Sequence, residues 1–180
     1  MNLPNKLTIL RVAAIPAIVA LLLIDTAACR IAATALFILA CISDWLDGFI
    51  ARRQGIVTDF GKFLDPVADK LLVLCTMITL SGLGRLPAWL CVVVLFRELT
   101  VDGLRLIAVQ KGIVIAAGKL GKIKTVSQMV LVTVILLNIR ALHDLWIDRG
   151  LIILVIVMTV WSGVDYFIKN RAVFAEGGDA

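Results

Sequence analysis

Four aspartates, Asp44, Asp47, Asp65 and Asp69, stand in two pairs spaced three and four residues apart. On a helix, at about 100° per residue, the members of each pair share a face roughly one turn apart. The first pair lies in "DWLDGFIARR" (44–53), just after the apolar run 31–42; the second lies in "GKFLDPVADK" (61–70), which leads into the next apolar run. Four carboxylates brought together repel one another unless protons or metal ions neutralise them. Carboxylate oxygens suit hard ions such as Mg²⁺, Mn²⁺ or Ca²⁺. Two such ions, about 3.5–4 Å apart, clamp the oxygens of a phosphoryl centre. The neighbouring residues fit that chemistry. Gly48 follows Asp47 and lets a ligand approach the backbone; Ala51 is small; Arg52 carries a guanidinium suited to phosphate; Gly61 precedes Asp65 by four residues. Acids for metal, small residues for access and an arginine for phosphate point to a nucleotide-diphosphate site. A plainer reading makes Asp44 and Asp47 end-of-helix acids paired with Arg52 and Arg53. It accounts for one pair alone, but not for both pairs with their glycines.

The elements that carry these residues belong in a bilayer. The chain has 180 residues, of which 61% are hydrophobic and 17% charged, with a mean hydropathy of +1.03. Soluble domains run at roughly 45–50% apolar and about 25% charged. The net charge of +5 comes without basic runs interleaved with aromatics, which excludes a nucleic-acid partner and fits a membrane protein's basic loops. Cys29, Cys41, Cys75 and Cys91 sit in or beside apolar segments, no CxxC occurs, and His143 is the sole histidine. A zinc site or a disulfide framework is not expected. Lys6 and Arg11 before a run ending near "DTAAC" superficially resemble a cleavable signal. The run is long, contains Pro16 and precedes many more hydrophobic segments, so it reads as the first transmembrane helix.

A spanning helix needs about 20 mainly apolar residues. Six candidates emerge, at 8–24, 31–51, 66–84, 87–109, 124–142 and 150–168, with no strand-like alternation. The expected fold is an all-α, polytopic membrane bundle of six transmembrane helices, a single domain over 1–180. "SGLGRLP" (81–87) and "DRG" (148–150) read as breaks between helices. Pro66 suits a first helical turn with Asp65 at the N-cap, leaving Asp59 in the preceding loop. Lys6, Arg11, Arg52, Arg53, Lys62, Lys111, Lys119, Lys122, Lys124, Lys169 and Arg171 gather at one side; only Arg30, Arg85, Arg140 and Arg149 lie at the other. Both termini and the aspartates are therefore expected on the cytoplasmic side. The tail "AEGGDA" reads as frayed.

Taken whole, Asp44-x2-Asp47-Gly48-x2-Ala51-Arg52-x8-Gly61-x3-Asp65-x3-Asp69 resembles the complete signature of the CDP-alcohol phosphatidyltransferases. The resemblance implies a six-helix, usually homodimeric membrane enzyme with a polar cavity open to the cytoplasm. Such enzymes transfer a phosphatidyl or similar group from a CDP-linked donor to an alcohol and release CMP. It implies that Asp44, Asp47, Asp65 and Asp69 hold two divalent cations, Mg²⁺ or Mn²⁺, and that Gly48, Arg52 and Gly61 bind the donor. Asp69 would also be the general base. "NLPNKLTILR" (2–11), "FRELTVDGLR" (96–105) and "LGKIKTVSQM" (120–129) resemble family members that use CDP-diacylglycerol and sn-glycerol 3-phosphate. That implies the inner (cytoplasmic) membrane of a bacterium.

A phosphorylated acceptor needs cations. Arg97 and Arg105, eight apart, fall about 80° from each other on a helix; Lys119, Lys122 and Lys124 follow in the next connection, and Thr8 and Arg11 could line the same cavity. Asp102 departs from the small hydroxyl residue expected there and adds negative charge beside that pocket. Rival acceptors within the family are inositol phosphate, serine or a phospholipid. More distant alternatives are an intramembrane prenyltransferase, which would need a longer chain, and an ion carrier, whose acids belong in mid-membrane.

Overall fold

A computed structural model describes the backbone of residues 3–54, 59–113, 115, 118–138 and 146–171, and the side chains of 8–43, 67–113, 115, 118–138 and 146–171. The described residues form six helices and no strand: α1 (Leu3–Ile24), α2 (Ala27–Gln54), α3 (Asp59–Gly82), α4 (Ala88–Gln110), α5 (Lys119–Leu137) and α6 (Ile147–Lys169). Every expected span is present, but several boundaries move. At 28 residues, α2 rises about 42 Å, longer than a hydrocarbon core of roughly 30 Å. Its apolar part is Ala27–Ser43, so the segment bearing the first aspartate pair prolongs the helix past that part. α3 starts at Asp59 rather than beside Pro66, so Asp65 stands inside the helix instead of capping it. α5 starts at Lys119 rather than 124, taking Lys119, Lys122 and Lys124 into its first turns rather than a connection. Asp148 to Gly150 likewise open α6 instead of separating helices.

Where the chain does turn, glycine takes the left-handed conformation. Gly112 (φ 73) follows α4, and the N–H of Ile113 donates to the Ala108 carbonyl at 2.8 Å, the backward bond of a Schellman cap. Gly84 (φ 71) does the same for α3, with the N–H of Arg85 donating to Leu80 O at 2.9 Å. Pro87 is the N-cap of α4.

Contacts at the two ends define the topology. In the α1–α2 turn, Asp25 accepts a 2.5 Å hydrogen bond from Arg85 of the α3–α4 turn and lies 3.6 Å from Arg30. Towards the other end, Lys70 of α3 pairs with Asp102 of α4, Lys124 of α5 with Glu98 of α4, and Arg105 of α4 with Tyr166 of α6. The helices therefore alternate in direction, with α4 and α6 running the same way. α1 packs on α2 and α3, α5 on α2 and α6, and α4 on α3 and α6. The apolar core joins Ile18, Phe37, Leu72, Met77, Val94, Leu131 and Val155, one or two from each helix.

The outside is apolar as well. Leu10, Ile31, Ile78, Phe96, Val126 and Trp161, one from each helix, are exposed. Such a surface would be costly in water and is natural in lipid. Inside the helices, Thr34, Thr76, Thr79 and Thr133 each donate a hydroxyl hydrogen bond to the carbonyl four residues back, at 2.7–2.8 Å. These bonds keep the hydroxyls satisfied without water. Among the described residues only α5 and α6 are apolar enough throughout to cross a membrane on composition alone. Thr8–Ile24 of α1 and Ala27–Ser43 of α2 are shorter apolar stretches, and charges interrupt α3 and α4. The molecule is an all-α membrane bundle with a polar belt.

Packing in such a bundle is decided by shape, because lipid tails are as apolar as the core. Phe37→Ala, at a fully buried site, should cost about 3 kcal/mol through the cavity it leaves. Phe96→Ala, at a position 72% exposed, should change stability little. Unfolding midpoints in mixed detergent micelles test the contrast, and equal losses would mean that inside and outside are misassigned.

Candidate active site

The described charges converge on α4. Glu98 is buried near the middle of this helix, where a lone carboxylate would be prohibitively costly in hydrocarbon. It accepts a hydrogen bond from the ammonium of Lys124, whose side chain is only 4% exposed, and lies 3.5 Å from Nη1 of Arg97. Arg97 reaches past two glycines on other helices. A Cβ at Gly163 of α6 would stand 3.4 Å from its Cγ, and one at Gly121 of α5 would stand 3.9 Å from its Nη2. Two turns along, Nε of Arg105 donates to the Tyr166 hydroxyl at 2.9 Å, and the guanidinium lies 5.5 Å from that ring's centroid. This uses one of the five N–H donors of the arginine. The structure thus brings Arg97 and Arg105 together on the side of α4 that meets α6, with Lys124 beside them.

The remaining cationic candidates divide. Lys119 and Lys122 are exposed at the start of α5, whereas Lys124 is buried and committed to Glu98. On α1, Thr8 and Arg11 are both buried, three residues apart, and Arg11 is among the largest fully buried side chains of the molecule. Asp69 is half-buried on α3, with Oδ1 withdrawn from solvent, and Lys70 beside it pairs with Asp102.

The other expected site residues, Asp44, Asp47, Gly48, Arg52, Gly61 and Asp65, lie outside the residues whose side chains are described. Their helices are defined. α2 ends at Gln54 and α3 begins at Asp59, so both aspartate pairs flank one four-residue connection. Among the described residues no three metal-ligating side chains cluster. The donor set of the quartet is nonetheless all carboxylate, with no thiol or imidazole, and the half-buried Asp69 belongs to it. Such a set fits a hard divalent cation.

Between α2 and α5 runs an apolar cleft of about 440 Å³. Ile38, Cys41 and Ile42 form one wall, and Val126, Val130 and Val134 form much of the other. The α2 wall ends two residues before Asp44.

Several residues here escaped the sequence reading: Glu98, Lys70, Tyr166 and the two glycines that make room for Arg97. Glu98 could have been found, since an acid inside an apolar helix requires a partner. Lys124 is 26 residues away, and nothing local to either residue names the other.

A membrane-embedded helical bundle with one charged end, and with two aspartate pairs flanking a four-residue connection between helices, defines a class of enzyme that works at the lipid–water edge. The CDP-alcohol phosphatidyltransferase family model matches residues 1–161, and the chain belongs to that family. It is similar to the CDP-diacylglycerol–glycerol-3-phosphate 3-phosphatidyltransferase of Bacillus subtilis (strain 168), at 41% identity over 94% of this chain and 95% of that protein. The protein of the same name from Rickettsia bellii (strain RML369-C) is 40% identical over 96% of this chain and 97% of its own length. A probable phosphatidylglycerophosphate synthase of Mycobacterium tuberculosis (strain ATCC 25618 / H37Rv) is 40% identical, over 93% and 81% respectively.

Removing one member of a buried ion pair strands the other. Glu98→Gln should therefore lower stability by about 3 kcal/mol, while Glu98→Leu combined with Lys124→Met should recover most of that loss. Unfolding midpoints of the single and double variants in detergent check both expectations.

Proposed function

We propose that the protein transfers the phosphatidyl group of CDP-diacylglycerol to sn-glycerol 3-phosphate, forming phosphatidylglycerophosphate and CMP in phospholipid biosynthesis. The observation that carries this reading is the pair of half-buried arginines on α4, Arg97 and Arg105, on its α6 side, in a chain bearing the full aspartate signature. An acceptor that is itself a phosphate ester needs such cations, and serine or inositol does not. Likeness over nearly the full length to proteins named for this reaction supports the same acceptor.

In this reading the 1-hydroxyl oxygen of glycerol 3-phosphate attacks the β-phosphorus of the donor, which carries the diacylglycerol. The bond from that phosphorus to the CMP oxygen breaks, and CMP leaves with the electron pair. Asp69 takes the hydroxyl proton, a task suited to a half-buried carboxylate at a polar edge. Arg97 and Arg105 orient the acceptor phosphate, with Lys119 and Lys122 at the exposed rim and Lys124 acting through Glu98. Thr8 and Arg11 close the site from α1. Gly48, Arg52 and Gly61 hold the cytidine and diphosphate. Asp44, Asp47, Asp65 and Asp69 would hold two divalent cations, Mg²⁺ or Mn²⁺. Such ions supply charge stabilisation at the diphosphate. The cleft between α2 and α5 suits the donor's acyl chains, because it is apolar and leads along α2 towards Asp44.

The chain would work as one domain over 1–180, as a homodimer in the bacterial inner (cytoplasmic) membrane with both termini and the site facing the cytoplasm. The excess of Lys and Arg at that side supports the orientation. The measurement is CMP release by purified protein in detergent, with CDP-diacylglycerol and Mg²⁺ or Mn²⁺. Release is expected with glycerol 3-phosphate and not with serine, inositol or inositol phosphate. A chelator should abolish it and added metal should restore it. Asp69→Asn should lower kcat by about 10²–10⁴-fold. Release with a different acceptor would refute the acceptor. Its absence with every acceptor, from folded protein, would refute the donor.

A further inference from the structure

We propose that Asp102 sets the affinity of this chain for its anionic acceptor by holding the Lys70 ammonium as a neutral pair. The inference rests on the reading above, in which the acceptor's phosphate meets Arg97 and Arg105.

Lys70 and Asp102 join α3 to α4 across 32 residues, and both carboxylate oxygens of Asp102 accept from the one ammonium. The two side chains are 26% and 36% exposed, so the pair sits at the margin of the buried cluster rather than within it. It adjoins that cluster along α4, since Asp102 follows Glu98 by four residues, about one turn on the same face. Among the described residues, Lys70 pairs with Asp102, and Arg97 and Lys124 both meet Glu98. Glu98 is buried between two cations and is structurally committed. Asp102 is the carboxylate whose removal leaves no partner in the dry interior.

Its position on α4 gives that charge leverage. Asp102 follows Arg97 by five residues and precedes Arg105 by three, about 7.5 Å and about 4.5 Å along the axis. Around the helix it stands about 60° from Arg105 and about 140° from Arg97, so its charge bears chiefly on Arg105. A small hydroxyl residue here, the kind expected by resemblance, would leave Lys70 as a further free cation beside the acceptor's phosphate. With Asp102 present, that cation is neutralised and the acceptor meets a weaker positive field. Lys70 directly follows Asp69, so the pair also gives the ammonium a counter-charge other than the motif carboxylates.

The test is steady-state CMP release by the full-length protein in mixed micelles, with CDP-diacylglycerol saturating and glycerol 3-phosphate varied. Asp102→Asn and Asp102→Ser should each lower the KM for glycerol 3-phosphate by about three- to tenfold, as expected for one screened unit charge at this range, with a smaller change in kcat. Adding Lys70→Gln to Asp102→Ser should return KM to near the wild-type value. Asn is close to isosteric and Ser is smaller, so a folding defect in one variant leaves the other to decide. Unchanged or raised KM in the folded variant overturns the proposal, as does a fall in kcat alone. A lowered KM that persists when Lys70→Gln is added overturns the role of Lys70. Wild-type protein that does not turn over glycerol 3-phosphate overturns the acceptor reading and this inference with it, whereas turnover with an unmoved KM overturns this inference alone.

Discussion

A charge placed in hydrocarbon must bring its own counter-charge, and in this bundle Glu98 is where that requirement is met. The carboxylate is buried near the centre of α4, so Lys124 has to enter the interior from α5 and Arg97 has to lie alongside. Bringing Arg97 in requires thin neighbours, and Gly163 and Gly121 supply them. The position of α4 relative to α5 and α6 thus follows from one buried acid. The alternative arrangements leave a cation or an anion without a partner, at several kcal/mol each.

The same constraint separates the two ends of the molecule. Towards the end with the Asp25–Arg85 bridge, core side chains such as Phe37, Met77 and Leu131 interdigitate without polar atoms. Towards the other, the belt of Thr8, Arg11, Lys70, Glu98, Asp102, Arg105, Lys124 and Tyr166 replaces them. α2 prolongs past its apolar segment on that side. On the proposed reading this polarity matches the substrates, because CMP must escape to water while two acyl chains stay in lipid. A site at the edge of a bilayer serves both, and a site at either extreme would strand one of them.

The parts legible in the sequence were those encoded by local periodicity. The apolar runs declare six helices, and the spacing of Asp44, Asp47, Asp65 and Asp69 is what the proposed metal site rests on. Boundaries were less legible, because hydropathy registers apolar spans and not helices. Lys119 and Lys122 belong to α5 although they are charged, since lysines at a helix end keep their heads in water while the backbone continues. The backbone of Asp59 to Asp65 likewise belongs to α3 although the segment carries charges. The pairings were not legible at all. Lys70 with Asp102 and Glu98 with Lys124 depend on how α3 and α5 dock on α4, and a single sequence carries no period that spans 26 or 32 residues.

Two acids four residues apart on α4 have nearly the same chemistry and sit in different surroundings. Glu98 lies among buried groups, so its charge is bound up with the fold and any change there propagates into the packing of three helices. Asp102 is a third exposed and pairs with a lysine of similar exposure. Pairs of that kind contribute little to stability, because water screens and competes for them. What such a pair does affect is the local field, since a neutralised ammonium attracts no phosphate. The margin of a buried cluster is thus where a chain can acquire a new acid at small cost to its fold, and where the consequence falls on binding.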